Sequence, residues 1–414
     1  MSAPSFRIPA MDVLRGCAVM GILWMNISAF ALPQAAYFNP RAAGPPSIGD
    51  ILFWLISFLF FDGKMRALFS ILFGASMLLL IDREELAGRD GRRVQMIRAA
   101  WLFLIGLSHY LLLWWGDILM IYALVGGAAL PFIGKEPLSL MKWAFLFFLA
   151  HFLICTLSIV TLYGWADTAA SPGAAQTVRE GYASFAASFT DPRSTAIQSD
   201  IQTYRSGFGT ILHHHLALFA DEWPRGLLFS GFDTLGFMLI GMAMLKGGFL
   251  TGRWDPDQYK RTAVHCFVIG LIPMAGLEAW LILGNFPLLP TYGAVIAWSF
   301  PFRIPLAVGW AALILWLLAR NRDHPLALRI GAVGRMALSN YLGTSLVMCA
   351  IFYGWGLGLF AHLRPVQFPL LLLGAWLVML IWSASWLSRF GIGPMEWLWR
   401  SLARGKPQKI RKSS

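Results

Sequence analysis

Windows of about 20 apolar residues, the length that crosses roughly 30 Å of hydrocarbon, recur from the N-terminal region to near Phe390. Nothing else in the sequence constrains the fold as strongly. Backbone polar groups in lipid must be satisfied within their own segment or a closed barrel, and windows of this length satisfy them as helices. With 57% hydrophobic and 13% charged residues over 414 positions, a water-soluble core is excluded. The predicted class is all-α: a polytopic transmembrane helix bundle, with residues 1–414 forming one integral membrane domain.

About ten spanning helices are predicted, near 13–32, 66–81, 94–115, 117–133, 139–163, 226–245, 262–283, 293–319, 333–354 and 366–389. Ile48 to Phe61 is apolar but short, and a charged break (Asp62, Lys64, Arg66) follows it. The first window follows Arg7, and Ala29, Phe30 and Ala31 resemble a signal-peptide cleavage site. Asp12, Arg15 and Asn26 inside that window favour a retained first helix.

Basic loops assign the sides. Residues 83–93, 246–261, 320–335 and the tail from about 390 to 414 are rich in Lys and Arg and are expected in the cytoplasm. The uncharged turn at 284–292 and an insert of about 166–225, where acids offset bases, suit the extracytoplasmic side. These assignments alternate correctly if Ile48 to Phe61 is an outer interfacial or re-entrant segment, which leaves both termini cytoplasmic in a bacterial inner membrane. From Arg389 onward seven basic residues face one acid, Glu396, which is half of the net charge of +12. Beside a last membrane helix this favours anionic lipid over nucleic acid as the partner.

Within the insert, residues from about Thr203 to Phe219 suit an amphipathic helix on the outer surface. Consecutive histidines, His213 to His215, point in different directions on a helix, so no metal site is predicted. The four cysteines lie in apolar windows without paired spacing, which implies neither a disulfide framework nor a thiolate metal site. Trp114, Trp115, Trp143, Trp165, Trp397 and Trp399 lie near window ends and are expected to be interfacial anchors. The glycines from Gly354 to Gly358 lack the neighbours of a nucleotide-binding loop.

Polar groups inside spans are costly, so they mark candidate sites. Asp12, Arg15 and Asn26 share the first helix, and the eleven residues from Arg15 to Asn26 place both on one face roughly 16 Å apart. Arg15 suits a phosphate, although Arg7 and Arg15 also suit simple lipid anchoring. His109 falls in the outer half, where it suits a general base with Asp117 as orienting carboxylate and Tyr122 nearby; a packing histidine is the alternative. Arg303, flanked by Pro301 and Pro305, is the most functional-looking charge of the second half. With Glu278, Asp233, Lys64 and Arg66 it suits an outer polar cavity or plain neutralisation, such as Arg303 with Glu278.

The run from Arg7 to Asn26 (RIPAMDVLRGCAVMGILWMN) resembles the opening signature of the YeiB-like family of bacterial membrane proteins. Phe69 to Gly74 with Ser70 inside it, His109 to Tyr122, Gly334 to Tyr341 with Arg335, Asn340 and Tyr341, and Gly393 to Arg400 agree with it in order along the chain. The family's first helix is similar to that of transmembrane acyltransferases such as the lysosomal heparan-glucosamine acetyltransferase type. The resemblance implies an acyl group moved from cytoplasmic acyl-CoA, a co-substrate with its phosphates near Arg7, Asp12 and Arg15, to an extracytoplasmic glycan, lipid or small-molecule acceptor. Catalytic roles would fall to His109, Asp117 and Asn26, with no permanently bound cofactor. In this chain the region after Asn26 (Tyr37, Phe38, Asn39) lacks the histidine that the acetyltransferase type carries there, so His109 would have to replace it. An anion or small-molecule transporter, or a non-catalytic lipid-binding partner, are the other readings.

Overall fold

The computed structural model describes residues 8–411, and all extended regular structure among them is helical. The first half comprises α1 (Pro9–Ala31), α2 (Ala35–Phe38), α3 (Ile48–Ile56), α4 (Lys64–Leu86), α5 (Gly91–Leu112), α6 (Leu119–Ala128) and α7 (Pro137–Ala170). The insert carries α8 (Gln176–Thr190) and α9 (Thr195–Tyr204). Then follow α10 (Phe208–Lys246), α11 (Pro256–Leu283), α12 (Leu288–Gly293), α13 (Phe300–Arg320), α14 (Pro325–Arg335), α15 (Ala337–Phe352), α16 (Phe368–Arg389) and α17 (Pro394–Arg404).

Among the described residues, eight helical stretches are long and apolar enough to cross a membrane, and Leu119–Ala128, Leu288–Trp298 and Ala337–Phe352 are shorter apolar helices. One of the eight, Ile48–Leu86, combines α3 with α4. As a straight 39-residue rod it would be about 58 Å long, nearly twice a bilayer core. Instead, α3 ends in a π-helical turn, Ser57–Phe61, and Gly63 at φ 71° re-aims the chain into α4. That left-handed conformation carries little strain only for glycine.

Three predicted elements are divided differently from expectation. The surface helix expected over Thr203 to Phe219 is split: α9 stops at Tyr204, and Phe208 already begins α10, which continues for 39 residues through Pro224. The helix expected over 293–319 is cut at Ser299, where a π-turn, Ala294–Trp298, precedes α13. The helix expected over 333–354 begins only at Ala337, because Met336 leaves helical geometry between α14 and α15. At Ser299 and Met336 apolar residues continue on both sides of the junction, so hydropathy carries no boundary signal there, whereas Arg205, Ser206 and Gly207 separate α9 from α10.

Two glycine crossings bring helices to backbone contact. A Cβ on Gly74 would lie 2.2 Å from the Met238 carbonyl oxygen, and one on Gly241 would lie 1.9 Å from that of Ile71. The glycines thus face each other's helix reciprocally across α4 and α10. The same arrangement joins α1 to α14: a Cβ on Gly334 would sit 1.8 Å from the Asp12 carbonyl oxygen, and one on Gly16 2.1 Å from that of Ile330. Without an oil–water force between helices in lipid, such close backbone packing is a main source of cohesion.

The two ends of the bundle differ. One gathers the arginine-rich segments around Arg83 to Arg93, Arg253 to Arg261, Arg320 to Arg329 and α17; the other carries α8 and α9. The insert is fastened there. The Gly354 amide donates to the Tyr204 carbonyl (2.8 Å), and Arg205 Nε donates to the Phe360 carbonyl (2.8 Å). Trp114 is no interfacial anchor: it is buried and stacks on Phe30 with ring centres 4.1 Å apart.

Candidate functional site

His109 occupies the last turn of α5, and the 113–118 loop folds back so that Asp117 meets it. His109 Nδ1 lies 2.8 Å from Asp117 Oδ2, and Asp117 Oδ1 accepts the Met120 backbone N–H at 3.0 Å. Both side chains are buried. With an ionised carboxylate and a neutral imidazole, Nδ1 carries the proton and Nε2 presents a lone pair. Among the described residues Nε2 has no hydrogen-bond partner. A buried imidazole oriented by a carboxylate, with its other nitrogen bare, is the geometry of a general base. The Tyr341 ring lies 5.2 Å from His109, and its hydroxyl is buried beside the Ile118 backbone.

The polar stripe of α1 reaches toward this pair. Arg15 donates to Ser76 Oγ on α4 (2.7 Å) and lies 3.3 Å from Asp12. Asn26 sits three turns further along. One more turn brings Phe30 onto Trp114, whose ring is 6.4 Å from His109. The stripe thus starts at the arginine-rich end, and the far end of α1, beyond Asn26, reaches the histidine through two aromatic contacts. Arg7 lies outside the described residues.

A second charged group collects where helices break. Arg303 pairs with Asp62 (2.8 Å) and donates to the Val295 carbonyl (2.5 Å), while Tyr37 donates its hydroxyl proton to Asp62. The expected partner of Arg303, Glu278, is not in that bridge. Glu278 is within electrostatic reach of Lys64 instead, and its Oε1 is buried without a hydrogen bond among the described residues. Lys64 is fully buried and donates to the Phe58 carbonyl, and Trp310 Nε1 donates to the Phe60 carbonyl at 3.0 Å. These donors satisfy carbonyls at two π-turns, whose irregular backbone leaves acceptors open. A small cavity of about 30 Å³, lined by Tyr37, Ser57 and Asp62 among others, adjoins the group and has room for a water or two.

Arg66 forms a forked ion pair with Asp233 and donates to Thr234 Oγ1 (3.0 Å). Ser70 Oγ and Tyr122 Oη lie 2.9 Å apart, and both are within hydrogen-bond distance of the Arg66 carbonyl (2.9 and 3.2 Å), so two hydroxyl protons are shared among three contacts. These three candidates form one network around the start of α4.

Arg335 and Asn340 serve packing. Asn340 donates to the Val333 carbonyl and Ser383 Oγ (both 3.0 Å) and accepts from Trp382 (2.7 Å), while Arg335 donates to the Gly391 carbonyl (3.0 Å). Glu396, a residue to which the sequence assigned no structural role, folds α17 back onto the bundle. Its carboxylate accepts from the Leu338 and Ser339 amides (2.7 and 3.1 Å) and from Ser339 Oγ (2.5 Å), capping α15 from another helix.

The apolar helices, buried ion pairs and interrupted spans define a multi-pass helical membrane protein with polar groups inside the bundle. Residues 244–406 match the family described as "Protein of unknown function (DUF418)". The chain is 32% identical over 99% of both chains to the "Uncharacterized protein YeiB" of Escherichia coli (strain K12). It is 29% identical to the "Uncharacterized protein YxaH" of Bacillus subtilis (strain 168), covering 99% of this chain and 97% of that one. This chain belongs to the YeiB-like, DUF418 family. No solved structure shows a significant match to it.

Proposed function

We propose that this protein is a membrane-embedded acyltransferase that moves an acyl group from cytoplasmic acyl-CoA to an extracytoplasmic or lipid-linked acceptor. The observation that carries the reading is the buried His109–Asp117 pair with Nε2 bare, two aromatic contacts from the far end of the helix whose polar residues begin at Asp12 and Arg15. Here the arginine-rich end faces the cytoplasm of a bacterial inner membrane, as the positive-inside rule requires. The thioester arrives along α1, and Nε2 takes the proton of an acceptor hydroxyl or amine. The acceptor oxygen or nitrogen bonds to the acyl carbon, the carbon–sulfur bond breaks, and the proton passes to the departing thiolate. Asp117 holds the imidazolium formed in between.

The test follows coenzyme A release from acyl-CoA by purified protein in nanodiscs supplied with bacterial lipid and glycan extracts. His109→Ala is expected to abolish release and keep donor binding. Release at the wild-type rate in that variant would remove His109 as the base.

One observation favours a transporter instead. Two interrupted helical stretches, Ile48–Leu86 and Leu288–Arg320, meet at their breaks through Arg303 and Asp62, an arrangement that suits an ion or anion site in a carrier. Saturable uptake of an anion into proteoliposomes, lost in Arg303→Gln and intact in His109→Ala, would support that reading over transfer.

A further inference from the structure

The arginine-rich end holds a cluster that the sequence did not disclose. Arg98, near the start of α5, lies flat over the Trp399 ring of α17, its guanidinium carbon 4.1 Å from the ring centre, and Trp399 Nε1 donates to the Arg98 carbonyl at 2.8 Å. Arg98 Nε is buried and has no hydrogen-bond partner among the described residues. Arg400 and Arg404 are within electrostatic reach of Arg98, and Arg15 and Arg83 within reach of Arg400. Two carboxylates lie within electrostatic reach as well, Glu84 of Arg98 and Glu396 of Arg400, but Glu84 is shared between Arg89 (2.5 Å) and Arg404 (3.7 Å) and Glu396 accepts from Ser339, so among the described residues neither closes an ion pair on Arg98 or Arg400.

Sidedness alone does not call for this arrangement. The positive-inside rule counts charges near span ends and is met equally by dispersed, hydrated arginines such as Arg92, Arg93 and Arg253, all exposed. Gathering like charges around a tryptophan, with a donor buried and unmatched, is unfavourable until an anion completes it. Planar guanidinium forks fixed on an aromatic face suit the several oxygens of a phosphate. Arg15, at the foot of the α1 stripe, links the cluster to the route toward His109.

We propose that Arg98 and Arg400, backed by Arg15, form a binding site for a phosphate-bearing ligand where α17 docks on α5. The phosphate belongs either to coenzyme A, which rests on the acyltransferase reading, or to an anionic phospholipid headgroup, which does not.

The experiment uses the full chain in nanodiscs of neutral phosphatidylcholine. Coenzyme A binding is measured by calorimetry, and retention of added cardiolipin and phosphatidylglycerol by native mass spectrometry. Arg98→Gln and Arg400→Gln are compared with Arg253→Gln, an exposed arginine of another basic loop; Arg400 is exposed, so its variant tests the site even if Arg98→Gln folds poorly. At least about a tenfold loss of affinity is expected for one probe class in the first two variants, with Arg253→Gln unchanged. Coenzyme A as the affected probe fixes the donor as source. Phospholipid alone as the affected probe supports the site and counts against the donor reading. Wild-type binding of coenzyme A that neither variant weakens, together with unaffected lipid retention, overturns the site and spares the donor reading. No binding of either probe, or equal weakening in all three variants, overturns the site as well.

Discussion

Replacing Asp117 by asparagine tests the His109 geometry more sharply than removing the histidine. In the native pair, Asp117 accepts two protons, from His109 Nδ1 and from the Met120 amide. An asparagine keeps its carbonyl oxygen on Met120, because the amide N–H there needs an acceptor, and so turns its NH₂ toward His109. The imidazole must then accept at Nδ1 and carry its proton on Nε2, which removes the lone pair that would serve as base. Both hydrogen bonds survive, neither any longer charge-assisted, so the expected loss of stability is about 1–2 kcal/mol. Asp117→Ala instead leaves two buried donors unmatched, at roughly 1–3 kcal/mol each, or about 2–6 kcal/mol together. Turnover should fall roughly 100- to 10,000-fold in both, the usual contribution of a positioned base. Thermal unfolding in detergent separates the variants without knowledge of the acceptor, and coenzyme A release reads the chemistry. Equal destabilisation by Asn and Ala, or Asn at full turnover, would refute the tautomer argument.

At the α4–α10 crossing, the Cβ of Gly241→Ala would stand about 1.5 Å short of ordinary van der Waals contact, and overpacking of this kind costs roughly 1–3 kcal/mol. Adding Gly74→Ala should cost less than its single effect, because the helices have already parted, and strict additivity in a double-mutant cycle of melting temperatures would contradict a shared contact. Arg303→Gln strands Asp62 in the interior and should destabilise by about 3–5 kcal/mol, with Asp62→Asn recovering much of the loss; no recovery in the double variant would deny the pairing. In the insert, burial pushes the Asp200 carboxyl up to about 6, against an opposing hydrogen bond from the Gln34 backbone. The folded insert therefore holds a proton that the unfolded chain releases near pH 4, and its stability is full below that value and declines as pH rises through about 6. Hydrogen exchange of α9 should be faster at pH 7 than at pH 5, and Asp200→Asn should flatten the difference; exchange, corrected for its intrinsic pH dependence, that is equal at both pH values would rule this out.

The bundle was legible because apolar windows report lipid exposure directly. His109 with Asp117 was legible because eight residues and a tight turn separate them, so local sequence implies proximity. Arg303 was marked by its flanking prolines, yet its partner Asp62 is 241 positions away in sequence, and charge alone could not choose it over Glu278. Distance also concealed Arg98 on Trp399 and Glu396 on Ser339: each joins a distant helix to α17, within a tail whose composition suggested only a basic surface. The breaks at Ser299 and Met336 escaped notice because hydropathy is indifferent to whether a helix turns or ends.

The pairing of Gly16 with Gly334 also bears on how the molecule is made. The two positions are 318 residues apart, and at about 5–20 residues per second the ribosome needs roughly 15–60 s to deliver the second after the first. Through that interval α1 has only its early contacts, chiefly with α4 through Ser76 and through Met65 against Gly21. Its glycine face stays open to lipid or to an insertion chaperone until α14 arrives. Chains halted before Pro325 would present that face permanently, giving membrane quality control a specific mark by which to know an unfinished molecule.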